Sequence, residues 1–427
     1  MTSDIADLRN LRLTSKLFSE AATRNLFKSS IIQWPCQTTY GPVPSSRFSD
    51  LNKAIGSAFT TPTYGLLPSI KNLQVSFSHY GSEVFDVLGG PAGSRKEKKR
   101  QESREILGKV PIALGNLLKL EHFGFGLAWW ENSYEGYGRG SAPGIDLQLL
   151  ASTIHNVATG ISALSLLTSL QLALPCTHNF VKLFNIVPVA VVSRLRYLDL
   201  QITDATGPGG SKDYLLWADE VDENDGALPF SNLQQQYPNV VHAHILFTIV
   251  EKCGNLQHLR IAGTQFLDGN LLQWTPASFG LQTVELSRVK ISSENLIKLL
   301  SPGQGMVLQS SLLSNVLLDG VDLTAGTWAS VFKHLSLCSG LSYLNPINLS
   351  YTRDGESSDF MELPPHPWED CGNLWSQNED DEEELIRLVK MLVKRAGGKD
   401  KYPNRGMEQW MLHEDDYNDD SDSNSNH

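Results

Sequence analysis

The stretch LQTVELSRVKI, residues 281–291, decides how the rest of the chain reads. Leu281, Val284 and Leu286 have the spacing L-x-x-L-x-L, and Ile291 stands ten places after the first leucine. In L-x-L two apolar side chains share one side of a β-strand, because successive side chains alternate. A strand with one apolar side needs a covering layer. The neighbouring stretches repeat the wording: Leu256-Leu259-Ile261 with Phe266 before it, and Leu313-Val316-Leu318 with Leu323 after it. Further out lie Ile70-Leu73-Val75, Leu120-Phe123-Phe125, Leu167-Leu170-Leu172 and Leu195-Leu198-Leu200. A last copy, Leu341-Leu344, is interrupted by Pro346.

First positions are separated by 50, 47, 28, 61, 25, 32 and 28 residues. Four of these match or approach the leucine-rich-repeat period of about 20–29 residues. Cys253 and Cys338 each stand three places before a first leucine and read as small core residues in one register. Between the strands, Leu147, Leu150, Ala151, Ile154, Val157 and Ala158 form a helical stripe. So do Phe180, Leu183, Phe184 and Val187, and also Trp328, Val331, Phe332 and Leu335. The expected fold is α/β: a leucine-rich-repeat solenoid over 60–350, with parallel strands on one face and helices on the other. A doubly wound α/β domain also alternates strand and helix, but eight registered copies favour the solenoid.

Residues 7–27, DLRNLRLTSKLFSEAATRNLF, have helix-like apolar spacing and read as short helices within a segment spanning 1–35. Their wording resembles the second half of an F-box, carried by Asp7, Leu8, Leu11, Leu13, Ser15, Lys16, Phe18, Ala21, Leu26 and Phe27. Together with the repeats this resembles the F-box/leucine-rich-repeat family of fungal type. The resemblance implies a substrate receptor, with the F-box docked on the Skp adaptor of a cullin–RING ubiquitin ligase and the repeats holding the protein to be ubiquitinated. It implies adaptor contacts at Leu8, Leu11, Leu13, Lys16 and Phe18. The opening Leu-Pro-x-Glu and first helix of the motif have no counterpart here. Much of the adaptor-contacting surface is therefore expected to be missing, and a ligase-independent scaffold stands as the alternative.

Charge is unevenly placed. Residues 353–427 carry 20 acidic and 8 basic residues, which is the whole net charge of −12, while residues 1–352 balance at 27 each. A neutral body argues against nucleic acid as a partner. No apolar run reaches the roughly 18–20 residues that span a bilayer, and the first residues lack a secretory h-region. The expectation is a cytoplasmic or nuclear protein, monomeric outside its complex. Leu385, Leu388, Val389, Leu392, Val393 and Ala396 form a stripe expected to cap the open end of the repeats. It lies in a linker-and-cap segment at 351–400, ahead of an acidic tail at 401–427.

Excess residues follow the strands at 70–75, 120–125, 195–200 and 341–344, so these excursions share the C-terminal edge of a parallel sheet. Inserts are expected near 78–110, 129–144 and 204–238. Trp129, Trp130, Tyr134 and Tyr137 sit among glycines in the second and read either as partner anchors or as residues folded back on the helices. A second candidate surface is the row Asp199, Arg260 and Glu285, expected to face solvent and either to contact a partner or to pair with itself. RKEKKR at 95–100 reads as a solvated basic segment. Nucleophile-elbow, zincin, P-loop and dinucleotide motifs are absent. His242 and His244 are two apart on an expected helix and so cannot chelate one ion together. Five dispersed cysteines form no zinc or disulfide framework. No enzyme activity, cofactor or metal is expected.

Overall fold

The computed structural model describes residues 29–33, 71–77, 108, 110–127, 146–204, 230–273, 280–302, 311–352, 374–376, 378–398 and 401–402. The chain divides into two compact units, Met1–Asn255 and Leu256–His427. Both are α/β and built on parallel strands.

In the first unit the strands are β1 (Ser29–Gln33), β2 (Asn72–Phe77), β3 (His122–Leu127), β4 (Ser169–Leu174) and β5 (Tyr197–Ile202). They lie side by side in sequence order, all parallel. Among the described residues the helices are α1 (Val110–Gly115), α2 (Leu147–Ser162), α3 (Thr177–Phe184), α4 (Val189–Val192), α5 (Asn232–Gln236) and α6 (Asn239–Glu251). The repeat positions stack as their spacing requires. Leu73, Phe123, Leu170 and Leu198 are laterally aligned, as are Val75, Phe125, Leu172 and Leu200. Phe123, Leu170 and Leu198 are buried, and so are the first positions Leu120, Leu167 and Leu195.

The second unit contains β6 (His258–Asp268), β7 (Thr283–Ile291), α7 (Ser293–Leu300), β8 (Asn315–Leu323), α8 (Trp328–Ser336), β9 (Tyr343–Ile347), β10 (Ser350–Tyr351) and α9 (Glu379–Ala396). Leu259, Val284, Val316 and Leu344 align, and all four are buried. A backbone device recurs in both units. In six of the eight copies the carbonyl one place after the first apolar position accepts two successive N–H groups from the next described strand. Lys71, Glu121 and Thr168 do this in the first unit, and Gln257, Gln282 and Ser314 in the second. The strand entries therefore share one geometry, which is what a repeat needs to propagate.

Helix starts follow from side-chain caps at the turns leaving the strands. Asp146, Ser292 and Thr327 accept backbone N–H groups from the first turns of α2, α7 and α8. Of the α2 stripe, Leu150, Ile154, Val157 and Ala158 are buried, while Ala151 is exposed and Leu149 and Ile161 join the core. All four residues of the α8 stripe are buried. Cys253 and Cys338 are fully buried, as their register requires, and burial pushes their thiols up to about 12 and about 11. Cys176 is also buried and pushed up to about 12, chiefly by desolvation.

The structure departs from the sequence reading in several places. Residues 29–33 are a strand paired with β2 rather than part of a helical segment. Lacking the leucine wording, SSIIQ gives the repeat template nothing to match. Pro346 does not end the eighth copy: it lies within β9 opposite Leu318. On the side of β9 away from β8 the main chain of Leu344 meets the hydroxyl of Tyr402, which donates to its carbonyl and accepts from its N–H. A proline is tolerated on such an edge because no ladder N–H is demanded of it. Phe266 is half-buried, and Leu267 takes the core position instead, paired with Val289. Between Ala262 and Leu267 the register shifts, because β6 runs five residues while β7 runs two. At the C-terminal side of the insert at 204–238, residues 232–236 form α5.

A shared bend appears at one level of the second unit. Arg288 (φ 56°), Gly320 (φ 57°) and Asn348 (φ 51°) follow the aligned residues Ser287, Asp319 and Ile347. A left-handed residue turns the strand and resets its alternation. Val289, Val321 and Leu349, three places beyond Leu286, Leu318 and Pro346, are consequently buried.

The helix at 379–396 packs on α8, with Leu385, Leu388, Val389 and Leu392 buried and Val393 and Ala396 half-buried. It also caps both ends of α8. Asp381, fully buried, accepts from the Ala329 N–H at 2.7 Å and the Tyr351 hydroxyl at 2.5 Å, and also from Ser376 and Asn378. At the other end Arg395 donates to the carbonyls of Ser336, Cys338 and Leu341. Negative charge thus meets the positive end of the α8 dipole, and positive charge its negative end.

Candidate functional site

Two surfaces were legible as grips: the strand face opposite the buried ladder, and the C-terminal edge where inserts leave. The strand face of the first unit has rows Asn72–His122–Ser169–Tyr197, Gln74–Gly124–Gln171–Asp199 and Ser76–Gly126–Ala173–Gln201. Asp199, expected to face solvent, is 0% exposed. Gln171 Nε2 donates to it at 2.8 Å and Gln201 Nε2 at 3.1 Å, so carboxamides cover the carboxylate. Gly124 permits the coverage. A Cβ there would lie 3.2 Å from Gln74 Cγ and 3.5 Å from Gln171 Oε1.

In the second unit Arg260 Nε meets Glu285 Oε1 at 2.7 Å, so these two candidates pair with each other. Along the same face Asn315 donates to Thr283, and Ser287 to Asp319. Past the bend, Arg288 and Lys290 lie 5.2 and 4.9 Å from the centroid of the Phe266 ring. Asp322 is buried beside them, accepts from Ser350, and has its carboxyl pushed up by desolvation against the opposing pull of that bond and the two cations. The face consumes much of its own polarity.

The insert edge is organised differently. In the first unit the segments 78–107, 128–145 and 205–229 follow the C-terminal ends of β2, β3 and the β5 strand, and those strands are parallel. Thr203 Oγ1 donates to the Leu127 carbonyl at 3.1 Å. The departures of two inserts, each from a different strand, are therefore tied together. Asp204 and Ser231, both fully buried, bracket the third segment and join through a 2.6 Å bond from Ser231 Oγ to Asp204 Oδ2. Gln234 donates to the Asp204 carbonyl and to Ser231 Oγ, and its Oε1 accepts from the Asn239 N–H. Asn239 in turn holds Thr177 by two bonds, at 3.0 and 2.9 Å. A buried polar network so satisfied is rigid, and it fixes the base from which residues 205–229 depart. Sequence reasoning missed Asp204 and Ser231; their signal was a pair of cap-type polar residues flanking an acidic, glycine-rich stretch.

Trp129, Trp130, Tyr134 and Tyr137 lie outside the described residues, as do Leu8, Leu11, Leu13, Lys16 and Phe18 and the basic segment at 95–100. Among the described residues no group of three or more His, Cys, Asp or Glu side chains is placed to hold a metal ion. No helix among them is long and apolar enough to cross a membrane. A scan against protein-family models returns no match, and a comparison with curated proteins returns none.

Proposed function

We propose that this chain is a leucine-rich-repeat protein-binding module that serves as a substrate-recognition subunit of a Skp–cullin–F-box ubiquitin ligase. The observation that carries the repeat reading is the register. Leucine-type positions predicted from spacing stack laterally in both units, and six of the strands are entered through the same doubly accepting carbonyl. The ligase connection rests on the F-box wording at 7–27. On this reading the chain performs no chemistry itself and needs no cofactor; it works in the cytoplasm or nucleus by holding a protein.

The grip is assigned to the insert edge of the first unit. The strand face would charge a partner for breaking bonds already made, such as Arg260–Glu285. Loops mounted on a rigid repeat edge are, by contrast, the usual binding elements of such scaffolds. Two measurements test the proposal. Pull-down with the Skp adaptor at micromolar concentration should recover a complex; its absence leaves the ligase-independent scaffold. Replacing 131–142 by a short Gly-Ser link should weaken capture of the partner at unchanged melting temperature, and undiminished capture overturns the insert-edge assignment.

A further inference from the structure

On the helical side of the first unit, His178 of α3 and His242 of α6 stand with ring centroids 4.9 Å apart and planes 52° from each other. The Nδ1 atoms of both are buried and have no hydrogen-bond partner among the described residues. From the juxtaposition of these two imidazoles we infer a two-histidine binding site for a late first-row divalent ion of the zinc, nickel or copper class, completed by water or by a donor from a bound protein.

The separation fits that chemistry. With metal–nitrogen bonds of about 2.0–2.1 Å and a cis arrangement, two imidazole centroids bound to one ion stand roughly 4.5–5.3 Å apart. Imidazole nitrogen suits zinc, copper and nickel, whereas calcium and magnesium take oxygen ligands. The site is also preorganised. The Thr177–Asn239 bonds pin the first turns of α3 and α6 together, one residue before His178 and three before His242. Tyr237 lies flat on His178, 3.7 Å between centroids and 3° between planes, which holds that ring in orientation. His244 lies two residues from His242 and faces elsewhere on the helix. Lys182 stands one turn beyond His178 and its charge is felt by both imidazoles. That charge opposes any divalent cation, so nitrogen-to-metal bonding must supply the affinity.

The test is calorimetric titration of the full chain with zinc and with nickel at neutral pH, with magnesium as the contrast. The wild type should bind zinc and nickel. His178→Gln and His242→Gln should each weaken the tighter event at least about tenfold, as loss of one of two chelating ligands requires, while His244→Gln leaves it unchanged. Equal binding by wild type and both variants overturns the inference, and so does equal binding of magnesium. Because a variant can perturb packing, the wild type supplies its own readout. Zinc should shift the imidazole nitrogen resonances of His178 and His242 and slow their modification by diethylpyrocarbonate; unmoved resonances and unprotected rings overturn the site.

Discussion

Asp381→Ala is expected to uncouple the 379–396 helix from the last repeat. The carboxylate is 0% exposed and accepts four hydrogen bonds, two of them from outside its own segment. The first three amides of α8 all depend on neighbours. Trp328 N–H is taken by the Tyr351 hydroxyl, Ala329 N–H by Asp381, and Ser330 N–H by Thr327 Oγ1. Hydrogen bonds to a charged group are worth about 1.5–3 kcal/mol each, and a buried donor left unpaired adds its desolvation cost. Ser376 and Asn378 can turn to water, but the Ala329 N–H cannot. A net loss of about 3 kcal/mol follows, less than the sum because the four bonds act as one network. Every 1.4 kcal/mol is about tenfold in an equilibrium constant, so exchange of the α8 amides should accelerate roughly 100-fold. Tyr351→Phe, which keeps the ring but deletes the bond to Asp381 and the acceptor of the Trp328 N–H, should cost about 2 kcal/mol, and the double variant should cost less than the two singles together. Hydrogen-exchange mass spectrometry of the peptide spanning 328–336 reads this directly. Exchange in Asp381→Ala within about twofold of the wild type would refute the capping argument.

Leu286→Asp should unfold the β7–β8 region, since burying an unpaired carboxylate in place of a side chain that is 2% exposed exceeds the 2–5 kcal/mol typical of a Leu→Ala cavity by about as much again; a urea midpoint equal to the wild type's contradicts the core assignment. Cys176, Cys253 and Cys338, their thiols pushed up to about 12, 12 and 11 by burial, hold almost no thiolate at pH 8. Iodoacetamide should label them only after denaturation, and peptide mapping that finds any of the three alkylated in the native chain refutes its burial.

What the sequence made legible was whatever depends on local period. Leu170, Leu198, Leu259, Val284 and Val316 sit where L-x-x-L-x-L puts them, because a one-residue slip would turn every leucine to solvent. Phe266 was misassigned because a bulge changes the count without leaving a mark in the apolar pattern. Asp199 was read as solvent-facing from its parity alone; parity names the side of the strand but not what covers it, here Gln171 from the adjacent strand and Gln201 from the same one. Arg395 stands in the last turn of its own helix, yet its guanidinium serves carbonyls at 336, 338 and 341. The Asp204–Ser231 clamp and the His178–His242 pair join residues 27 and 64 positions apart, and nothing in a single sequence states such pairings.

The clamp also explains how long inserts coexist with a regular repeat. Closing a flexible loop costs only about 0.6 kcal/mol more for each doubling of its length, so length itself is a small burden. The larger risk is that a long excursion frays the strand it leaves. In the first unit that risk is met at the base. Thr203 is bonded to Leu127 and Leu174, Asp204 to Pro175 and Ser231, and Ser231 caps the next helix at Gln234. The repeat ladder therefore continues undisturbed through β3, β4 and β5, and the strand end from which residues 205–229 depart is held by its own hydrogen bonds.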